Sequence, residues 1–116
     1  MKLDILVFGA HPDDVELGCG GTVIKEIKAG KKVGVIDLTR GELGTRGTAE
    51  TRTAETKLAS EIMRVTIREN MDFKDGFFKD DEDHKLALIK KIREYQPEIV
   101  ITNAVSDRHP DHGRGA

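Results

Sequence analysis

Two short segments concentrate the side chains that bind metals and move protons: His11-Pro12-Asp13-Asp14-Val15-Glu16 and His109-Pro110-Asp111-His112. Imidazole and carboxylate suit a borderline divalent cation such as zinc, and they also serve as acids and bases. His11, Asp14 and His112 have the composition of an open catalytic metal site, with three protein ligands and one position left for water. Asp13 points differently from its neighbour on an extended turn, so it is available as a general base. His-Pro and Asp-Asp are common in ordinary turns, and one such cluster alone would read as a loop. Two clusters, each following a hydrophobic run, favour a single site assembled from distant sequence.

The elements that must position these clusters alternate along the chain. Leu3 to Phe8 reads as a buried strand leading into the first cluster. Gly20-Gly21-Thr22 leads into Val23, Ile24 and Ile27, the face of a helix that Gly30 and the adjacent lysines end. Lys32 to Leu38 is a second strand. A glycine-rich loop to Thr48 follows, and Thr48 caps a helix to about Arg64 with Ala54, Leu58, Ile62 and Met63 facing inward. Val65 to Glu69 is a third strand, and residues 71 to 79 form an irregular loop. A third helix starts at Asp80 or Asp81, with Leu86, Ile89, Ile92 and Tyr95 on its apolar side, and Pro97 stops it. Glu98 to Thr102 is a fourth strand, just before the second cluster. This β-α-β-α-β-α-β pattern predicts a Rossmann-like, three-layer αβα fold with a parallel sheet of order 3-2-1-4. In that order strands one and four are neighbours, and the crevice at their carboxyl ends is where such sheets bind ligands. Residues 11 to 16 and 109 to 112 would meet there.

Composition bounds the remaining classes. At 116 residues the chain allows one domain, and its 37% hydrophobic and 34% charged content fits a soluble globular protein. Nineteen basic against twenty-one acidic residues give no positive field of the kind nucleic-acid binding needs. No segment is long enough to span a membrane. Cys19 is the only cysteine, so the cytoplasm is the expected compartment.

The glycines at 18, 20 and 21 raise a dinucleotide-binding alternative, with Asp37 near the end of strand two as its acidic partner. The required glycine at position 23 is Val23, and the acidic cluster would repel a pyrophosphate. These glycines are therefore expected to allow close backbone packing beneath the metal site. Arg52 could reach over the crevice to an anionic or polar substrate group, or pair on the surface with Glu55 or Glu42. Cys19 reads as a small buried hydrophobe and His84 as a solvated side chain.

Ala10-His11-Pro12-Asp13-Asp14-Val15-Glu16, Asp37-Leu38-Thr39-Arg40-Gly41-Glu42 and Asp107-Arg108-His109-Pro110-Asp111-His112 resemble the LmbE or PIG-L family of zinc-dependent N-acetylglucosaminyl deacetylases. The similarity is strongest to the bacterial branch of bacillithiol synthesis. It implies hydrolysis of an N-acetyl group from an amino-sugar conjugate, in that branch N-acetylglucosaminyl malate. It also implies His11, Asp14 and His112 as ligands to zinc, with ferrous iron as the alternative ion. Asp13 would be the general base, Asp111 the group orienting His109, and His109 the stabiliser of the oxyanion or the acid for the leaving amine. Arg52 matches a substrate-contacting arginine. Members of the family are longer, so residues 1–116 are expected to form the N-terminal part of one deacetylase domain, ending after strand four. An exposed fourth strand would then favour association with a second copy. A metal-dependent phosphoesterase, or a metal- or sugar-binding piece without turnover, stands as the alternative.

Overall fold

A computed structural model describes residues 2–40, 48–74 and 82–102. Among the described residues seven elements alternate: β1 (Ile5–Gly9), α1 (Asp14–Lys28), β2 (Val33–Thr39), α2 (Ala49–Met63), β3 (Ile67–Phe73), α3 (Glu82–Tyr95) and β4 (Ile99–Ile101). The strands form one parallel sheet in the order β3-β2-β1-β4, as the alternation predicts. Ile5 of β1 pairs with Val33 on one side and Ile99 on the other. Every residue of β1 and β2 is buried, as strands covered on both faces must be. Their alternating side chains feed two cores. Leu6, Phe8, Ile36 and Leu38 meet Ala87 and Leu88 of α3 on one face. Ile5, Val7, Val33 and Val35 meet Val15, Val23 and Ile27 of α1 on the other.

The first helix begins at Asp14, earlier than the glycine pattern predicts, so the acidic cluster forms its opening turn. The glycines lie inside the helix, and Cys19 between them leaves helical geometry at φ −147°, ψ 19°. A Cβ at Gly18 or Gly21 would meet nothing within 4 Å, so these residues do not serve the close packing expected of them. Gly9 and Gly34 do: a Cβ at Gly9 would lie 3.0 Å from Val15 Cγ2, and one at Gly34 would lie 2.5 Å from Leu3 Cδ1. Gly9 thus lets α1 settle directly onto the end of β1.

The third strand also runs further than expected, to Phe73, because side-chain bonds carry its pairing past an irregularity opposite Asp37 and Thr39. Asn70 donates its amide to the Thr39 carbonyl at 2.7 Å, and Arg40 Nε donates to Asp72 Oδ1 at 2.6 Å. Thr48 caps α2 as predicted, its Oγ1 accepting from Thr51 N–H at 3.1 Å. Of the four residues expected inside α2 only Met63 is buried; Ala54, Leu58 and Ile62 are exposed. On α3 the inward stripe holds buried Tyr95 with partly buried Ala87 and Leu88, while Leu86, Ile89 and Ile92 face outward. Among the described residues no helix is long and apolar enough to cross a membrane.

Candidate active site

The carboxyl end of β1 is tied to that of β2 before the acidic turn begins. Thr39 donates both its N–H and its hydroxyl to the Ala10 carbonyl, each at 3.0 Å. The chain then turns through Pro12 and Asp13 into α1. Asp14 Oδ2 accepts the His11 N–H at 3.0 Å and lies 3.4 Å from His11 Nδ1. Both side chains are largely enclosed, at 12% and 15% exposure. The fold therefore joins an imidazole and a carboxylate on one turn, as the cluster predicts.

Asp13, between His11 and Asp14 in sequence, is the N-cap residue of α1. Its φ of 104° lies in the left-handed region, which Asp tolerates better than most residues. The reversed backbone directs it into a cleft of about 440 Å³ between the turn and α2, whose wall includes Arg52, Glu55 and Thr56. Burial raises the Asp13 carboxyl above its ordinary range, with Asp14 adding to the rise and Arg52 opposing it. This carboxylate is thus made more basic in a cleft that it shares with Arg52.

An adjoining cavity of about 410 Å³ shares Pro12 and Thr56 with that cleft and runs between α2 and the sheet. Its inner wall carries a cluster that sequence reasoning missed. Arg68 of β3 holds Asp37 by two bonds, Nε to Oδ2 at 2.8 Å and Nη2 to Oδ1 at 2.9 Å. The same Nη2 donates to Glu16 Oε1 of α1 at 3.1 Å. Burial pushes the Asp37 carboxyl up to about 6 against the pull of Arg68. Burial works against the charge on Arg68, but its two carboxylate partners outweigh it and raise the guanidinium further. The available signal was Asp37 itself, one acid in the apolar run Val33-Gly34-Val35-Ile36-Asp37-Leu38, which required a buried cationic partner. On the opposite sheet face Glu69 accepts from Tyr95 Oη at 2.6 Å and Lys91 Nζ at 2.9 Å. Burial would raise the Glu69 carboxyl, but these bonds prevail and lower it.

The His11–Asp14 donor set fits a borderline divalent cation: one imidazole nitrogen and one carboxylate oxygen, convergent and enclosed. Among the described residues no third donor joins them. His109, Asp111 and His112 lie outside the described residues. Burial and then Glu16 raise the Cys19 thiol, which disfavours the reactive thiolate.

A family model described as GlcNAc-PI de-N-acetylase matches residues 6–116. The diacetylchitobiose deacetylase of Thermococcus kodakarensis is 30% identical over 118 residues, covering 93% of this chain and 44% of that protein. The crystal structure of the conserved protein TT1542 from Thermus thermophilus superposes with a TM-score of 0.92 at 43% identity, covering 97% of this chain and 51% of the other. GalB, the 4-carboxy-2-hydroxymuconate hydratase of Pseudomonas putida, superposes at 0.86 with 27% identity, covering 99% of this chain and 52% of that one. The chain spans about half the length of the curated relatives it matches.

Proposed function

Because the chain belongs to the GlcNAc-PI de-N-acetylase family, we propose that it hydrolyses the acetamide of an N-acetylglucosamine conjugate, giving acetate and the free amine. The observation that carries this reading is the placement of Asp13 beside Arg52 in a cleft, next to the enclosed His11–Asp14 pair. His11 and Asp14 would hold a divalent cation, zinc or ferrous iron, and the family resemblance adds His112 as the third ligand. When bound, that cation supplies Lewis acidity that polarises the amide and makes water more acidic. Asp13 takes the proton from the attacking water. Arg52 grips the sugar or its aglycone across the cleft. His109, oriented by Asp111, stabilises the oxyanion or returns a proton to the departing nitrogen, roles that rest on the resemblance alone. The motif likeness to the bacillithiol branch makes N-acetylglucosaminyl malate the proposed substrate, in the cytoplasm.

The likeness to GalB favours one second reading, addition of water to an unsaturated carboxylate by the same base and cation. One set of assays separates the two. The zinc-loaded chain should release acetate from N-acetylglucosaminyl malate, with no phosphate from phosphoesters and no hydration of 4-carboxy-2-hydroxymuconate. Asp13→Asn should keep the cation yet slow deacetylation by about 100-fold or more, while His11→Ala should lose the cation by metal analysis. Hydration without acetate release would replace deacetylation with the second reading. Loss of the cation in Asp13→Asn would make Asp13 a ligand instead of a base.

A further inference from the structure

The first turn of α1 is held partly from within, by the bond from His11 N–H to Asp14, and partly by its neighbours. Asp13, at the N-cap, makes no side-chain capping bond and sits in the left-handed region. A left-handed residue at a helix start stores backbone strain, which the packing of its neighbours must hold. Val15 anchors it from below, 2% exposed and packed over Gly9. The lateral anchor is Glu16, whose carboxylate reaches across to Arg68. Arg68 is itself immobilised: its guanidinium clamps both oxygens of Asp37, which is 1% exposed, and approaches Ser60 Oγ of α2 at 3.5 Å. A planar guanidinium held in this way transmits the position of the sheet to whatever else it bonds.

We propose that Arg68 is a positioning residue: through Glu16 it fixes the opening turn of α1, and thereby the spacing of the His11 and Asp14 donors. This rests on reading those two side chains as cation ligands. Position and charge make opposite demands here. If Arg68 acted only by its charge, removing it would strengthen cation binding, because a nearby positive field would vanish. Acting by position, its removal weakens binding as the turn relaxes.

The test is titration of the chain with Co²⁺ alone, followed by its visible d–d absorption, beside urea unfolding of each variant. Arg68→Met should weaken Co²⁺ about tenfold, the usual scale for losing a group that orients a ligand. Glu16→Ala leaves the Asp37–Arg68 clamp in place and should weaken it comparably. Glu16→Gln keeps an acceptor for Arg68 without the charge and should stay within about threefold of the parent chain. Combining Glu16→Ala with Arg68→Met should add no further loss of affinity, since both remove one link. Tighter Co²⁺ binding in Arg68→Met, or equal losses in Glu16→Gln and Glu16→Ala, would overturn the inference. Co²⁺ binding untouched by His11→Ala would overturn the ligand reading beneath it as well.

Discussion

At Asp37 two forces act on one carboxyl in opposite directions. Burial favours the neutral acid and Arg68 favours the anion, and burial wins, leaving the folded group at about 6 against 3.8 for the ordinary carboxyl. Because the folded value is raised, the folded state binds the proton more tightly than the unfolded chain does. The associated stability is fully present below about pH 4 and disappears as pH rises through about 6. At 1% exposure the effect is on the order of 2–3 kcal/mol. Urea unfolding of the parent and of Asp37→Asn between pH 4 and 8 should therefore show the parent losing ground to the variant as pH rises. A difference growing in the parent's favour would mean that Arg68 prevails over burial. Glu69 has the reverse sign. Its lowered carboxyl contributes stability present above the ordinary carboxylate range and lost as pH falls through its folded value. Using Asp37→Asn as the reference cancels that contribution.

At the scale of elements, α3 shows where pattern reading succeeds and where it stops. Two apolar stripes run along this helix, Leu86-Ile89-Ile92 and Ala87-Leu88-Tyr95. Periodicity alone cannot choose between them. The choice falls to Glu69, which draws Tyr95 and Lys91 toward the sheet and turns the other stripe outward. Tyr95→Phe should accordingly cost about 2 kcal/mol by removing a bond to a charged acceptor, whereas Leu86→Gln, at a position 49% exposed, should cost under about 0.5 kcal/mol. Chemical denaturation of both variants checks the pair, and a larger loss at Leu86 would reverse the assigned face. Strand order and the Thr48 cap were legible because they follow from local residue types and the handedness of parallel connections, and the acidic cluster was legible as a unit because its residues are consecutive. The early start of α1 was not legible, since what permits it is the close approach of Val15 to Gly9, a contact between elements. Arg68 was hidden for the same reason: its partners Glu16 and Asp37 come from elements far apart in sequence.

For the whole molecule, the apolar side chains left outside the core predict how it behaves in solution. Leu58 and Ile62 on α2 and Ile99 and Val100 on β4 are 57%, 70%, 54% and 45% exposed. Among the described residues β4 pairs only with β1, and no other described strand covers its outer row of backbone groups. The chain should associate with a second copy as concentration rises from about 1 to 100 μM, and Ile99→Lys should weaken that association by charging the edge. Sedimentation velocity checks both, and a parent chain monomeric throughout would refute them. The pairing of Ile5 with Ile99 has a further consequence, for the order in which the structure forms. Among the described strand pairings this contact closes the longest loop, so it carries the largest loop-closure penalty of the three. Strands β1 and β2 can zip together while a ribosome is still at work, but β1 keeps one bare flank until its last neighbour emerges. Assembly at the crevice thus comes after the pairing of β1 with β2, and during synthesis a chaperone would have its opportunity at the strand that leads to His11.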